Sequence, residues 1–103
     1  MIRLRAGWAT DAGRLRTTNQ DRVAVVDGRL FAVADGMGGH RGGETAAQIA
    51  ADTMAAYGTT APVEVSGRDL VEQLQSINRT ILQASQTTDE LYGMGTTLTM
   101  VVA

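Results

Sequence analysis

The run Leu30-Phe31-Ala32-Val33-Ala34-Asp35-Gly36-Met37-Gly38-Gly39-His40 holds the residues best suited to chemistry. An apolar stretch ends in one carboxylate. Glycines follow at once, at 36, 38, 39, 42 and 43. This order predicts a buried strand that delivers Asp35 to a sheet end, beside a backbone that must bend and lie close to something. A carboxylate beside exposed backbone carbonyls is the donor set of a hard cation. The Gly36 carbonyl is a further candidate donor, because glycine has no side chain to block its approach. Taken alone, Asp35 also fits the ordinary role of an Asp that opens a glycine turn.

The elements around it decide between these readings. Residues 22–27 and 29–34 are two β-rich runs separated by Asp27-Gly28, a strong hairpin signal because Gly takes φ > 0 without a Cβ clash. Antiparallel pairing about that turn brings Asp21 next to Asp35. Two adjacent carboxylates repel unless a proton or a cation lies between them. An oxygen-only donor set favours Mg²⁺ or Mn²⁺ over zinc. Upstream, Arg16 has the planar fork that suits a phosphate oxygen pair. A lone loop Arg is more commonly just solvated, and Arg14 has no better claim. His40, the only histidine, reads as a polar turn residue.

The remainder supplies a frame. Ile2 to Thr10 begins with period-two alternation and predicts a half-buried strand. Residues 44–57 predict a helix with Ala46, Ala50 and Met54 on one face beside Ala47 and Ala51, small residues suited to close approach to a sheet. Gly58 is expected to cap it. A second helix is predicted over 68–87, its stripe formed by Leu70, Leu74, Ile77 and Ile81. Residues 95–102 read as one further core strand. Met37 and Met94 read as packing residues. The pattern indicates an α/β or α+β layered fold with both helices on one face of an antiparallel sheet. The other face calls for a cover from a partner or from further sequence.

Composition removes several function classes. The chain has 103 residues, 44% of them hydrophobic, and a net charge of −2 from 9 basic and 11 acidic side chains. No charge block points to nucleic acid or to a membrane surface. There is no cysteine, hence no disulfide or thiolate metal site. No apolar stretch is long enough to span a bilayer, and a cytoplasmic protein is the default expectation.

Three ordered segments, residues 10–21, 32–40 and 93–98, closely resemble the first motifs of the metal-dependent PPM/PP2C protein serine/threonine phosphatases, bacterial branch. The resemblance covers nearly the whole chain. It implies an α+β fold, a four-layer αββα sandwich of which this chain supplies N-terminal strands and the two helices of one face. It implies a centre of two Mn²⁺ or Mg²⁺ ions. Asp35 matches the carboxylate that bridges both metals, Gly36 the glycine whose carbonyl binds one of them, and Asp21 the acidic residue that holds the site largely through coordinated water. Arg16 matches the arginine that binds the substrate phosphate. The implied reaction is hydrolysis of phosphoserine and phosphothreonine in proteins by a metal-bridging water, opposing a serine/threonine kinase. Met37 stands where many eukaryotic members have histidine, and that role does not pass to His40. The family's later carboxylate motifs are not among residues 1–103. The expectation is therefore the N-terminal part of a single phosphatase domain, inactive by itself. Two alternatives accompany it. One is a short non-catalytic binding module. The other is a regulatory phosphatase of the sporulation or stress-response type.

Overall fold

A computed structural model describes residues 19–26, 28–38, 42–61 and 64–102. The predicted strand over Ile2 to Thr10, together with Arg14, Arg16 and His40, lies outside the described residues. Strands β1 (Asp21–Val26) and β2 (Leu30–Met37) form the expected antiparallel hairpin. Gly28 takes φ +70°, and the Arg29 N–H closes the turn on the Val26 carbonyl at 2.9 Å. The register pairs Val26 with Leu30 and, at the far end, Asp21 with Asp35.

β2 differs from expectation in depth and in length. Its residues alternate between buried and more exposed along its whole length, so one face only is covered. Leu30, Ala32 and Ala34 are buried, whereas Val33 and Met37 on the other face are 52% and 54% exposed. The strand also continues through Asp35 to Met37, because a further strand pairs with this segment. Asp35 therefore stands within the strand and not at its end.

Helix α1 (Gly42–Thr60) lies on the covered face. The expected stripe is the buried one: Ala46, Ala47, Ala50, Ala51 and Met54. Alanines face Ala32 and Ala34 of β2, and small residues on both sides let the helix backbone come close to the sheet. Gly58 does not cap this helix, which continues to Thr60. The glycine is a contact residue: a Cβ there would meet Val26 Cγ2 at 2.9 Å and Leu30 Cβ at 3.1 Å.

Helix α2 (Gly67–Ser85) starts in a capping box, Ser66 Oγ accepting from the Asp69 N–H while the Asp69 carboxylate accepts from the Ser66 N–H. It packs against α1 and a 3-10 turn at Asp89–Leu91. Ile77 and Ile81 are buried, but Leu74 is 42% exposed, so only the C-terminal half of the predicted stripe reaches the core.

The segment after Gly93 forms two short strands, β3 (Gly95–Thr96) and β4 (Thr99–Val102), both antiparallel to β2. They keep one register: Gly36 faces Thr96, and Val33 faces Thr99. The single strand expected over 95–102 is thus interrupted only at Thr97-Leu98, opposite Asp35. Among the described residues β2 is the central strand, with β1 on one side and β3 and β4 on the other.

Candidate metal centre

Asp21 and Asp35 lie directly opposite each other on the face of the sheet turned away from α1. The hydrogen bonds around them define the kind of pair they make. The Gly36 N–H points toward β1 and donates to the Gln20 carbonyl at 3.0 Å. The Asp35 carbonyl points the other way and accepts the Thr97 N–H at 2.9 Å. Asp21 and Asp35 are therefore a non-hydrogen-bonded pair, the closer of the two antiparallel arrangements, with Cα atoms about 4.5 Å apart. Carboxylates carried by directly opposed residues repel each other when both are ionised. A divalent cation turns this repulsion into attraction, and two carboxylates with a nearby carbonyl are the donors that Mg²⁺ or Mn²⁺ takes. The donor set fits such an ion. Among the described residues no group of three or more His, Cys, Asp and Glu side chains is assembled.

Side chains fix the backbone at both carboxylates. The Asp21 N–H and carbonyl face outward from β2. Its N–H donates to Asn19 Oδ1 at 2.9 Å. Its carbonyl accepts from the Arg22 guanidinium at 2.7 Å, which also donates to the Asn19 carbonyl at 2.9 Å. Arg22 in turn donates through Nε to Gln48 Oε1 at 3.0 Å, and Gln48 donates to Asp52 Oδ1 at 2.7 Å. The start of β1 is thereby tied to α1. At Asp35, the Thr97 side chain takes part in the ladder, with Oγ1 3.3 Å from the Asp35 nitrogen. Arg22 and Gln48 carry no signature of their own in the sequence; Thr97 lies in the 93–98 segment that carries the resemblance, and the Asn19-Gln20-Asp21 triplet lies in the 10–21 segment.

The glycine cluster makes the expected close approach, and its partner is the chain's own helix. A Cβ on Gly36 would overlap the Gly43 carbonyl oxygen and come within 2.9 Å of the Gln20 carbonyl. A Cβ on Gly43 would strike the Gln20 carboxamide at 2.6 Å, and one on Gly42 the Met94 Cβ at 2.9 Å. Gly38 has φ +144° and lies beside Gly43 and Met94. Gln20 Nε2 closes the cluster on the Gly38 carbonyl at 3.2 Å. The glycines let the first turn of α1 press directly on the end of β2, backbone against backbone. Met94 is buried in this contact, as its packing role requires, while Met37 is exposed.

The protein phosphatase 2C family model matches residues 13–103. The chain belongs to the protein phosphatase 2C family. It is similar to the serine/threonine phosphatase stp of Listeria monocytogenes, 35% identical over 96% of this chain and 42% of that protein. It is similar also to the serine/threonine protein phosphatase PstP of Mycobacterium tuberculosis, 37% identical over 96% of this chain and 19% of that protein. The chain thus spans less than half the length of these relatives. The crystal structure of Mycobacterium tuberculosis PstP superposes with a TM-score of 0.83 at 35% identity, over 92% of this chain and 40% of that one. A PstP catalytic domain in complex with two manganese ions superposes equally well, with 41% of its chain covered. The sheet and two helices described above are the corresponding part of the 2C fold. No described helix is long and apolar enough to cross a membrane.

Proposed function

We propose that residues 1–103 are the N-terminal part of a metal-dependent protein serine/threonine phosphatase domain and carry the first half of its metal centre. Asp35 would be the central carboxylate holding the ions, the Gly36 carbonyl would be a further donor, and Asp21 would hold the site from the neighbouring strand. Arg16 binds the substrate phosphate. The observation that carries this reading is the cross-strand pairing of Asp21 with Asp35 on an open sheet face. Family membership and the manganese-bound PstP relative support it.

Bound Mn²⁺ or Mg²⁺ supplies the positive charge that lowers the pKa of a water and offsets charge on the phosphoryl oxygens. The chain's own residues set where that charge lies. Asp35, held between two strands, has little backbone freedom, so its carboxylate is oriented before the cation arrives. The Arg16 guanidinium matches two phosphate oxygens at once and fixes the phosphoryl group for in-line displacement. The substrates are phosphoproteins, made by a serine/threonine kinase.

The test is a pair of measurements. Mn²⁺ should broaden the amide signals of Asp21, Asp35 and Gly36 in the isolated chain, and Asp35→Asn should abolish this. In the full-length protein, Asp35→Ala should remove Mn²⁺-dependent turnover of p-nitrophenyl phosphate, whereas Arg16→Ala should chiefly raise KM. The isolated chain should bind the ion without turnover. Near-normal activity of Asp35→Ala would refute the assignment. Binding without turnover in the full-length protein would instead mark a non-catalytic module.

A further inference from the structure

We infer that Thr97 is a positioning residue for Asp35, acting through its side-chain hydroxyl; the inference rests on the metal-binding reading above. An unbroken antiparallel ladder would join Asp35 and Thr97 by two backbone bonds, each N–H to the other's carbonyl. One of them is present, from the Thr97 N–H to the Asp35 carbonyl at 2.9 Å. The reciprocal position is filled differently. The Thr97 carbonyl accepts the Thr96 hydroxyl at 2.8 Å, and the Asp35 N–H meets Thr97 Oγ1 at 3.3 Å. The same oxygen lies 3.4 Å from the Asp35 carbonyl. A hydroxyl both donates and accepts, so one side chain engages both polar groups of the Asp35 backbone. This is also where the strand over 95–102 is interrupted, although β3 and β4 keep the register on either side.

The local geometry has a direct effect on the carboxylate. A regular ladder fixes a residue through main-chain atoms alone and tolerates any side chain opposite. Here the rotation of the Asp35 peptide units depends on a particular hydroxyl, and the direction of the Asp35 Cα–Cβ bond follows that rotation. Asp21, Asp35 and Thr97 form one row across the sheet, and within it Thr97 bonds the Asp35 backbone while Asp21 faces it as the second carboxylate. Groups that orient a metal ligand without touching the metal typically change its affinity about 10- to 100-fold when removed.

The decisive comparison is Thr97→Val against Thr97→Ser. Valine keeps the β-branched shape and loses the hydroxyl; serine keeps the hydroxyl. The full 103-residue chain is followed by NMR, with Mn²⁺ as the probe. In the metal-free chain, Thr97→Val should speed exchange of the Asp35 amide about fivefold, the equivalent of one lost hydrogen bond. The Val33 amide, paired with Thr99, should be unaffected. Mn²⁺ affinity, read from broadening at Asp21 and Asp35, should fall about tenfold or more. Thr97→Ser should restore both. Asp35→Asn runs in parallel. If it binds Mn²⁺ as well as the wild type, the metal reading fails and this inference with it. If Asp35→Asn loses the ion but Thr97→Val keeps wild-type affinity, whatever its exchange rate, the positioning role alone is overturned. Equal loss in Thr97→Val and Thr97→Ser would overturn it too, since packing rather than the hydroxyl would then be responsible.

Discussion

Gly36 of β2 and Gly43 of α1 are in backbone contact, with no room for a methyl group between them. The neighbour that a Cβ would strike is a carbonyl in the first turn of a helix, which cannot rotate away as a side chain can. Gly36→Ala should therefore lower the stability of the chain by about 3 kcal/mol, the upper end of ordinary overpacking. Urea unfolding should show this as a lower midpoint with an unchanged slope. Metal affinity should fall in the same variant, because Gly36 follows Asp35 directly.

Two other glycines should respond in opposite directions. Gly58→Ala replaces glycine within a helix, a change that usually gains close to 1 kcal/mol. Here the new methyl group would press on Val26 and on Leu30, which is fully buried, so a net loss of about 1–2 kcal/mol is expected. Gly67→Ala, in the first turn of α2 with nothing within 4 Å of its Cβ position, should gain about 0.5 kcal/mol. Thermal unfolding of the two variants side by side checks the sign of each.

The contrast shows which features the sequence expressed. Two β-rich runs about Asp27-Gly28 were enough to bring Asp21 beside Asp35, because a hairpin's register follows from its turn. The small-residue face of α1 was equally legible. Periodicity gives a face but not a depth. Leu74 lies on the apolar stripe of α2 yet is 42% exposed, because the helix meets α1 along only part of its length. Gly58 looked like a cap because glycine is common there, while its actual reason, contact with Val26 and Leu30, is a long-range one. The glycines after Asp35 signalled close approach correctly, but the partner is the chain's own helix. Thr97 was legible as part of a motif segment and of a β-rich run, but nothing in its local sequence reveals that its hydroxyl bonds the Asp35 backbone.

Removal of the α2 cap should have a contained effect. Ser66→Ala deletes the hydroxyl that accepts the Asp69 N–H and should cost about 1 kcal/mol. Amide exchange should accelerate in the first turn of α2 and leave β1 and β2 unchanged, since α2 packs on α1 and not on the Asp21–Asp35 pair.

Arg22 should matter through shape as well as charge. Its guanidinium serves the Asn19 and Asp21 carbonyls and Gln48 together. Arg22→Met should cost about 1–2 kcal/mol, in line with hydrogen bonds to a charged donor on a partly exposed strand. Arg22→Lys should recover less than half of it, because a single ammonium cannot reproduce the planar fork. Urea midpoints for the three proteins provide the measurement.

The seating of α1 on the end of β2 makes helix and site one cooperative unit. Any fluctuation that lifts the first turn of α1 from Gly36 also loosens the backbone beside Asp35. A cation that binds only the closed form must then stabilise the helix by linkage, by about 2.7 kcal/mol when its concentration is a hundred times its dissociation constant. Residues 42–47, which supply no carboxylate to the Asp21–Asp35 pair, would act as the reporter of its occupancy. Their amides should gain protection as Mn²⁺ is added, at the same concentrations at which Asp35 responds.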